Sequence, residues 1–240
     1  PGAARCPRFR YGVTETEARV SSYVYMKILE SQPKRYDQGI TLLSLGAADR
    51  GRRWLADECL GPGLRVLEIG CGTGALTLLA AQKGARVVAF DVSGPMLRMA
   101  RRKVDDAGLS DRVRLEEWGV SGMDALDAES FDVVLSTLVF SELSADERAW
   151  ALRHAFRVLR PGGRLGIVDE VTPEGLGERV VHGAVRLPLL LLTFALTQTT
   201  TRPVDGLPGL VTEAGFRVER EERTALGSLL YLVAAKEPRE

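Results

Sequence analysis

The chain has 240 residues, of which 45% are apolar and 27% charged, and its 32 Lys+Arg balance its 32 Asp+Glu. That length fits one domain with an attached cap, and the zero formal charge gives no electrostatic reason to expect nucleic acid as a partner. Cys6, Cys59 and Cys71 show no paired spacing, so neither a disulfide framework nor a metal site is indicated, and reduced thiols point to the cytoplasm.

In chain order, residues 1–19 are polar and Arg-rich, with no apolar stretch that would make a leader. Residues 20–45 suggest short helices broken at Pro33, and 1–59 together make an N-terminal helical lid segment. A helix is predicted from Asp49 to Leu60, with Trp54, Leu55 and Cys59 on one face, ended by Gly61-Pro62-Gly63.

Strands and helices then alternate, which argues for a parallel sheet covered on both faces. The predicted strands are Arg65–Ile69, Arg86–Phe90, Val113–Trp118, Phe131–Ser136 and Arg164–Asp169. A helix begins near Pro95, and another runs from Ala145 to Leu159 and stops at Pro161-Gly162-Gly163. Residues 171–205 interrupt the alternation as a helical, apolar cap insertion. Its segment Leu187–Leu196 is too short to span a bilayer, so no transmembrane segment is predicted. Gly183–Leu196 is either a buried helix or one wall of an acceptor pocket, with His182 and Arg186 at its edge. A helix near Pro208–Ala214, a strand at Phe216–Arg220 and a last strand at Leu229–Ala235 complete the domain at 60–240.

The densest signal is Val66-Leu67-Glu68-Ile69-Gly70-Cys71-Gly72-Thr73-Gly74, an apolar strand running into a glycine turn and then a helix. Such a turn lets a ligand approach backbone N–H groups and a helix N-terminus. The spacing is G-x-G-x-G rather than the G-x-G-x-x-G that holds a pyrophosphate. Glu68, two residues upstream, suits a ligand with a cationic end, such as S-adenosylmethionine, better than a pyrophosphate. Asp91 ends the second strand, near the spacing at which an acid accepts from ribose hydroxyls, although an Asp at such a turn can equally be a helix cap.

Glu68, the glycine turn, Asp91 and the stretch Arg157–Leu165 resemble the class I S-adenosylmethionine-dependent methyltransferases. Within them the chain is similar to the ubiquinone/menaquinone biosynthesis branch. Tyr23–Ser31 and Arg35-Tyr36-Asp37 also look similar to a corrinoid-protein-associated subgroup. The resemblance implies a Rossmann-like α/β fold: a doubly wound, mostly parallel sheet with an antiparallel last strand, N-terminal helices and a helical cap. It implies methyl transfer to a small-molecule or lipid-like hydrophobic acceptor, with a corrinoid protein or a second copy of the chain as candidate partners. The alternative is a SAM-binding accessory protein without catalysis of its own.

The cofactor residues so implied are Tyr36, Glu68, Gly70, Cys71, Gly72, Gly74, Asp91, Val92, Met96, Gly119, Val120 and Ser136. Glu68 is expected to favour the ammonium, directly or through a water, and Val92 and Met96 to offer apolar surface to the adenine. Where the family has Gly-Asp-Ala after the third strand, this chain has Gly119-Val120-Ser121, and Asp124 is the nearest acid. Tyr36 either lies over the cofactor or packs. His154 is expected to face solvent or a carboxylate, and Asp169 and Glu170 to act as a base or to cap a turn.

Overall fold

The computed structural model describes residues 46–172, 203–224 and 228–238. The expected N-terminal helices, Tyr36 and nearly all of the cap, with His182 and Leu187–Leu196, lie outside the described residues.

The elements in order are α1 (Ala47–Cys59), β1 (Arg65–Ile69), α2 (Ala75–Gln82), β2 (Arg86–Asp91), α3 (Gly94–Asp106), β3 (Val113–Glu117), a 3-10 turn (Val120–Ala125), β4 (Phe131–Thr137), α4 (Ala145–Val158), β5 (Leu159–Glu170), α5 (Leu207–Glu213), β6 (Arg217–Arg223) and β7 (Leu229–Ala235). The strands form one seven-stranded sheet in the order β3-β2-β1-β4-β5-β7-β6. β7 alone runs against its neighbours, pairing antiparallel with both β5 and β6. The fold is therefore the expected Rossmann-like, mostly parallel sheet.

Both sheet faces are covered, which is why its inner strands read as apolar runs. On one face Leu55 of α1, Leu76 and Ala80 of α2 and Leu97 of α3 pack against Val66, Val87 and Leu135. On the other, Leu152 and Val158 of α4 and Val211 of α5 pack against Leu67, Val134 and Ile167. The edge strands β3 and β6 carry charge instead. Arg114 pairs with Glu116 on β3, and Arg217 with Glu219 on β6. Charged edges discourage pairing with another chain.

Local chemistry sets the helix starts. The Ser93 hydroxyl accepts from the Met96 N–H at 3.4 Å, with Pro95 in the first turn of α3. Ser144 and Glu147 form a reciprocal capping box at the start of α4.

One boundary departs from expectation. Leu159 does not extend the helix, and the Pro161-Gly162-Gly163 stretch is not a separate turn. β5 starts at Leu159, which pairs with Phe131, and the ladder shifts register before Val133. Gly162 takes φ 79 at this irregularity, and its N–H donates to the Lys236 carbonyl at 2.8 Å. Hydrogen bonds to β4 and to the chain after β7 thus hold residues that look like turn formers.

Candidate functional site

The sheet order reverses between β1 and β4, where successive strands are added to opposite sides of β1. Ligands of open α/β sheets sit at the carboxyl ends of the strands beside such a point. The glycine turn after β1 lies there.

Its three glycines serve different purposes. A Cβ on Gly70 would come within 2.3 Å of Val139 Cγ2, and one on Gly74 within 2.7 Å of the Ala100 Cβ. These two are demanded by packing. Gly72 has φ 51, and a Cβ there would meet nothing within 4 Å among the described residues. At Gly72 the backbone thus faces open space, as a close-approaching ligand requires.

Asp91 fastens this turn. Its Oδ2 accepts from the Gly72 N–H at 2.7 Å and its Oδ1 from the Ser93 N–H at 2.9 Å. The Cys71 N–H adds a bond to the Phe90 carbonyl at 3.0 Å. The turn is also held from α3, where Lys103 Nζ donates to Thr73 Oγ1 at 3.0 Å. The cap of α3 is Ser93, so Asp91 is left to join the turn to the end of β2.

Glu68 lies beneath the turn rather than on its surface. It is 2% exposed and accepts from the Thr77 hydroxyl of α2. Burial pushes its carboxyl up to about 8, against the opposing effects of Thr77 and Arg52. Burial also holds the Cys71 thiol well above the ordinary thiol range, with Glu68 and Asp91 adding to the shift. Cys71 is therefore a small packed residue and not a nucleophile.

Just after β2, Val92 is the exposed large hydrophobic among the described residues, at 71%. Gly119 lies beside it, close enough that a Cβ would touch Val92 Cγ1 at 3.4 Å. Met96 does not share this exposure. It is 4% exposed because capped α3 turns it inward. Val120 is likewise buried, at 8%. Ser136 is fully buried, its hydroxyl donating to the Ile69 carbonyl at 3.4 Å. Of these, Val92 and Gly119 present side-chain or backbone surface, while Met96, Val120 and Ser136 support it from behind. Asp124 is exposed, and its carbonyl accepts from Arg157 Nη2 at 3.3 Å.

Two buried polar atoms at this end of the sheet, Trp118 Nε1 after β3 and Thr137 Oγ1 at the end of β4, have no hydrogen-bond partner among the described residues. The open space at Gly72 and the exposed Val92 beside Gly119 fit a ligand that approaches the turn closely.

Asp169 is a turn cap. It is fully buried and accepts from the N–H groups of Phe140 at 2.6 Å, Ser141 at 3.1 Å and Glu170 at 2.8 Å. The Thr77 partner of Glu68 and the turn after β4 are parts that the sequence does not advertise. His154 is partly exposed and lies within electrostatic reach of the Asp124 carboxylate. Its ring stacks on Trp150 at 4.3 Å, and its Nδ1 accepts from Arg157 Nε at 3.4 Å. Burial and the Arg157 charge lower its pKa.

The sheet order, the glycine turn and its tie to the end of β2 define a class I methyltransferase domain, whose cofactor is S-adenosylmethionine. Residues 66–163 match the family model described as "Methyltransferase domain". Demethylmenaquinone methyltransferase of Lactiplantibacillus plantarum is 33% identical over 143 residues, 58% of this chain and 59% of that protein. The S-adenosyl-L-methionine-dependent Diels-Alderase iccD of Talaromyces variabilis is 31% identical over 183 residues, 75% of this chain and 61% of that protein. The chain thus spans about three-fifths of the length of the curated relatives it matches. The solved structure of a SAM-dependent methyltransferase from Aquifex aeolicus shares the fold, with a TM-score of 0.56 and 22% identity, covering 78% of this chain and 89% of that one. Among the described residues no helix is long and apolar enough to cross a membrane.

Proposed function

We propose that the protein transfers a methyl group from S-adenosylmethionine to a small or medium hydrophobic acceptor. The observation that carries this reading is the Gly72 turn, open to a ligand and fastened through its own N–H to Asp91. In this reading residues 60–240 form the catalytic domain, 171–205 its acceptor-side cap and 1–59 a lid that brings Tyr36 over the cofactor. Gly70, Cys71, Gly72 and Gly74 carry the methionine end, Asp91 the ribose, and Val92 with Gly119 the adenine. Glu68 acts from beneath the turn, accepting from the Thr77 hydroxyl and so fixing the first turn of α2 under the methionine end.

The bound cofactor supplies an electrophilic methyl carbon. The chain's own residues bind and orient it, and alignment with the acceptor accounts for much of the acceleration. The name of the Lactiplantibacillus relative favours a quinol-type aromatic acceptor. The direct test is incubation with methyl-labelled S-adenosylmethionine and extracts split into lipid, small-molecule and protein fractions. Label entering the lipid or small-molecule fraction is expected. Label in none of them, with the cofactor bound, overturns the reading.

A second reading keeps the cofactor and drops the transfer. The Talaromyces relative is named for a cyclisation rather than a methylation. The protein would then use the bound cofactor to shape a pocket, or would serve a corrinoid methyl-transfer partner. Tight cofactor binding without consumption of S-adenosylmethionine would favour it.

A further inference from the structure

The turn after β4 is held by more contacts than a chain reversal needs. Leu138 takes φ 59, a region that a branched non-glycine residue seldom occupies and that recurs at functional sites. A fully buried carboxylate, Asp169, is committed to the Phe140 and Ser141 N–H groups. Arg148 of α4 donates Nε to the Phe140 carbonyl at 2.7 Å. Val139 presses on Gly70 so closely that a Cβ there would overlap it. The turn is therefore fixed at once to β5, to α4 and to the cofactor turn.

This scaffold presents Glu142, whose N–H donates to the Val139 carbonyl at 2.9 Å. Its side chain is exposed, and among the described residues it has no ion-pair partner or side-chain hydrogen bond. The charges that act on it are those of Asp169 and Glu170 at the end of β5 and Asp91 at the end of β2. The cation on the helix packed against the turn, Arg148, is directed at the Phe140 carbonyl. Crowding by surrounding protein, then Asp169, Asp91 and Glu170, push the Glu142 carboxyl up to about 7. An accessible acid without a side-chain partner, on a turn that packs through Val139 against the glycine turn at the carboxyl edge of the sheet, is placed to take a proton from a bound acceptor.

We propose that Glu142 is the general base that removes the proton of the acceptor. The assignment rests on the methyl-transfer reading. In the step, Glu142 carboxylate takes the proton of an acceptor O–H or N–H group. The electron pair so released, directly or through an aromatic ring, forms the new bond to the methyl carbon. The carbon–sulfur bond breaks and the sulfur keeps its pair, leaving S-adenosylhomocysteine. In ring methylation the O–H is restored when the ring carbon gives up its proton. Glu142 then returns its own proton to solvent.

The test uses the full chain, wild type and Glu142→Gln, with short-chain demethylmenaquinol as the probe acceptor. If demethylmenaquinol takes up no label, the extract fraction that does replaces it. Calorimetry with S-adenosylhomocysteine should give affinities within about twofold of each other. Methyl transfer by the variant should fall about 10²–10⁴-fold, the usual contribution of general base catalysis. The wild-type rate should rise with pH through about 7, because the base must be ionised, and the variant should lack this limb. Glu142→Asp should keep the limb at a reduced rate. A variant that retains both rate and limb overturns the assignment. So does one that loses cofactor affinity at least tenfold with kcat unchanged, which would make Glu142 a cation-binding group. Bound cofactor with no transfer by the wild type to any fraction overturns the methyl-transfer reading itself, and the base with it.

Discussion

The Gly72 N–H donates to Asp91 Oδ2 at 2.7 Å, so the acid that ends β2 holds the turn that follows β1. The same carboxylate accepts from the Ser93 N–H at 2.9 Å. Asp91 is therefore committed to the shape of the pocket before any ligand arrives, and further hydrogen bonds it accepts come at little reorganisation.

Replacing Asp91 with Ala should weaken binding of S-adenosylmethionine by about 1.5–3 kcal/mol, the range for hydrogen bonds to a charged group. That is a loss of roughly ten- to a hundredfold in Kd. Asp91→Asn should fall between, because its amide keeps one acceptor oxygen. Calorimetry with S-adenosylhomocysteine checks the order. Equal affinities for all three proteins would remove Asp91 from the site.

The three glycines of the turn should separate in stability and binding. Gly70→Ala and Gly74→Ala place a methyl against Val139 and Ala100, and should lower the melting temperature. Gly72→Ala meets open space, so only the left-handed backbone is strained, at a cost of about 1–2 kcal/mol. Gly72→Val should remove cofactor binding while most of the protein remains folded. If Gly72→Val binds normally, the open space at Gly72 is not where the ligand lies.

Glu68 offers a pH test. Its folded carboxyl is pushed by burial from 4.5 up to about 8, so the folded state holds its proton more tightly than the unfolded chain. The sign follows directly: stability from this group is complete below about 4.5 and is lost as pH rises through about 8. The wild-type melting temperature should therefore decline between pH 5.5 and 8.5 more steeply than that of Glu68→Gln, about the stated range of the shift. Parallel curves would mean that Glu68 is already ionised in the folded protein at neutral pH.

The sheet was legible because covered parallel strands read as apolar runs, and Val66–Ile69, Val87–Phe90 and Val133–Ser136 stand out between polar stretches. The sequence predicts that β6 ends at Arg220, because Glu221, Glu222 and Arg223 look like surface. They join the strand because Leu230–Leu232 of β7 pairs with them. At the candidate site, the glycine turn and Asp91 stand out in the sequence, and the structure joins them through the Gly72 N–H. The inward turn of Met96 did not show, since it depends on where Ser93 caps α3. Glu142 was silent for a stronger reason. Its turn is shaped by Asp169, 28 and 29 positions away from the amides it accepts from, and no local pattern records such a pairing.

A last expectation concerns the opposite end of the sheet. Lys236 follows β7, is 7% exposed, and donates Nζ to the carbonyls of Phe156 at 2.9 Å and Leu159 at 2.7 Å. It thereby closes the C-terminus of α4, where the carbonyls lack helical partners and the helix dipole favours a cation. Its ammonium also lies 4.8 Å from the centre of the Phe156 ring. Lys236→Met keeps the aliphatic stem and removes the charge, leaving both buried carbonyls without this donor. Chemical denaturation should show a loss of about 1–3 kcal/mol. Affinity for S-adenosylhomocysteine should not change, because the lysine lies at the amino end of β5, away from the Gly72 turn. A loss of affinity without a loss of stability would mean that the two ends of the sheet are coupled through α4, whose Arg148 also holds the turn bearing Glu142.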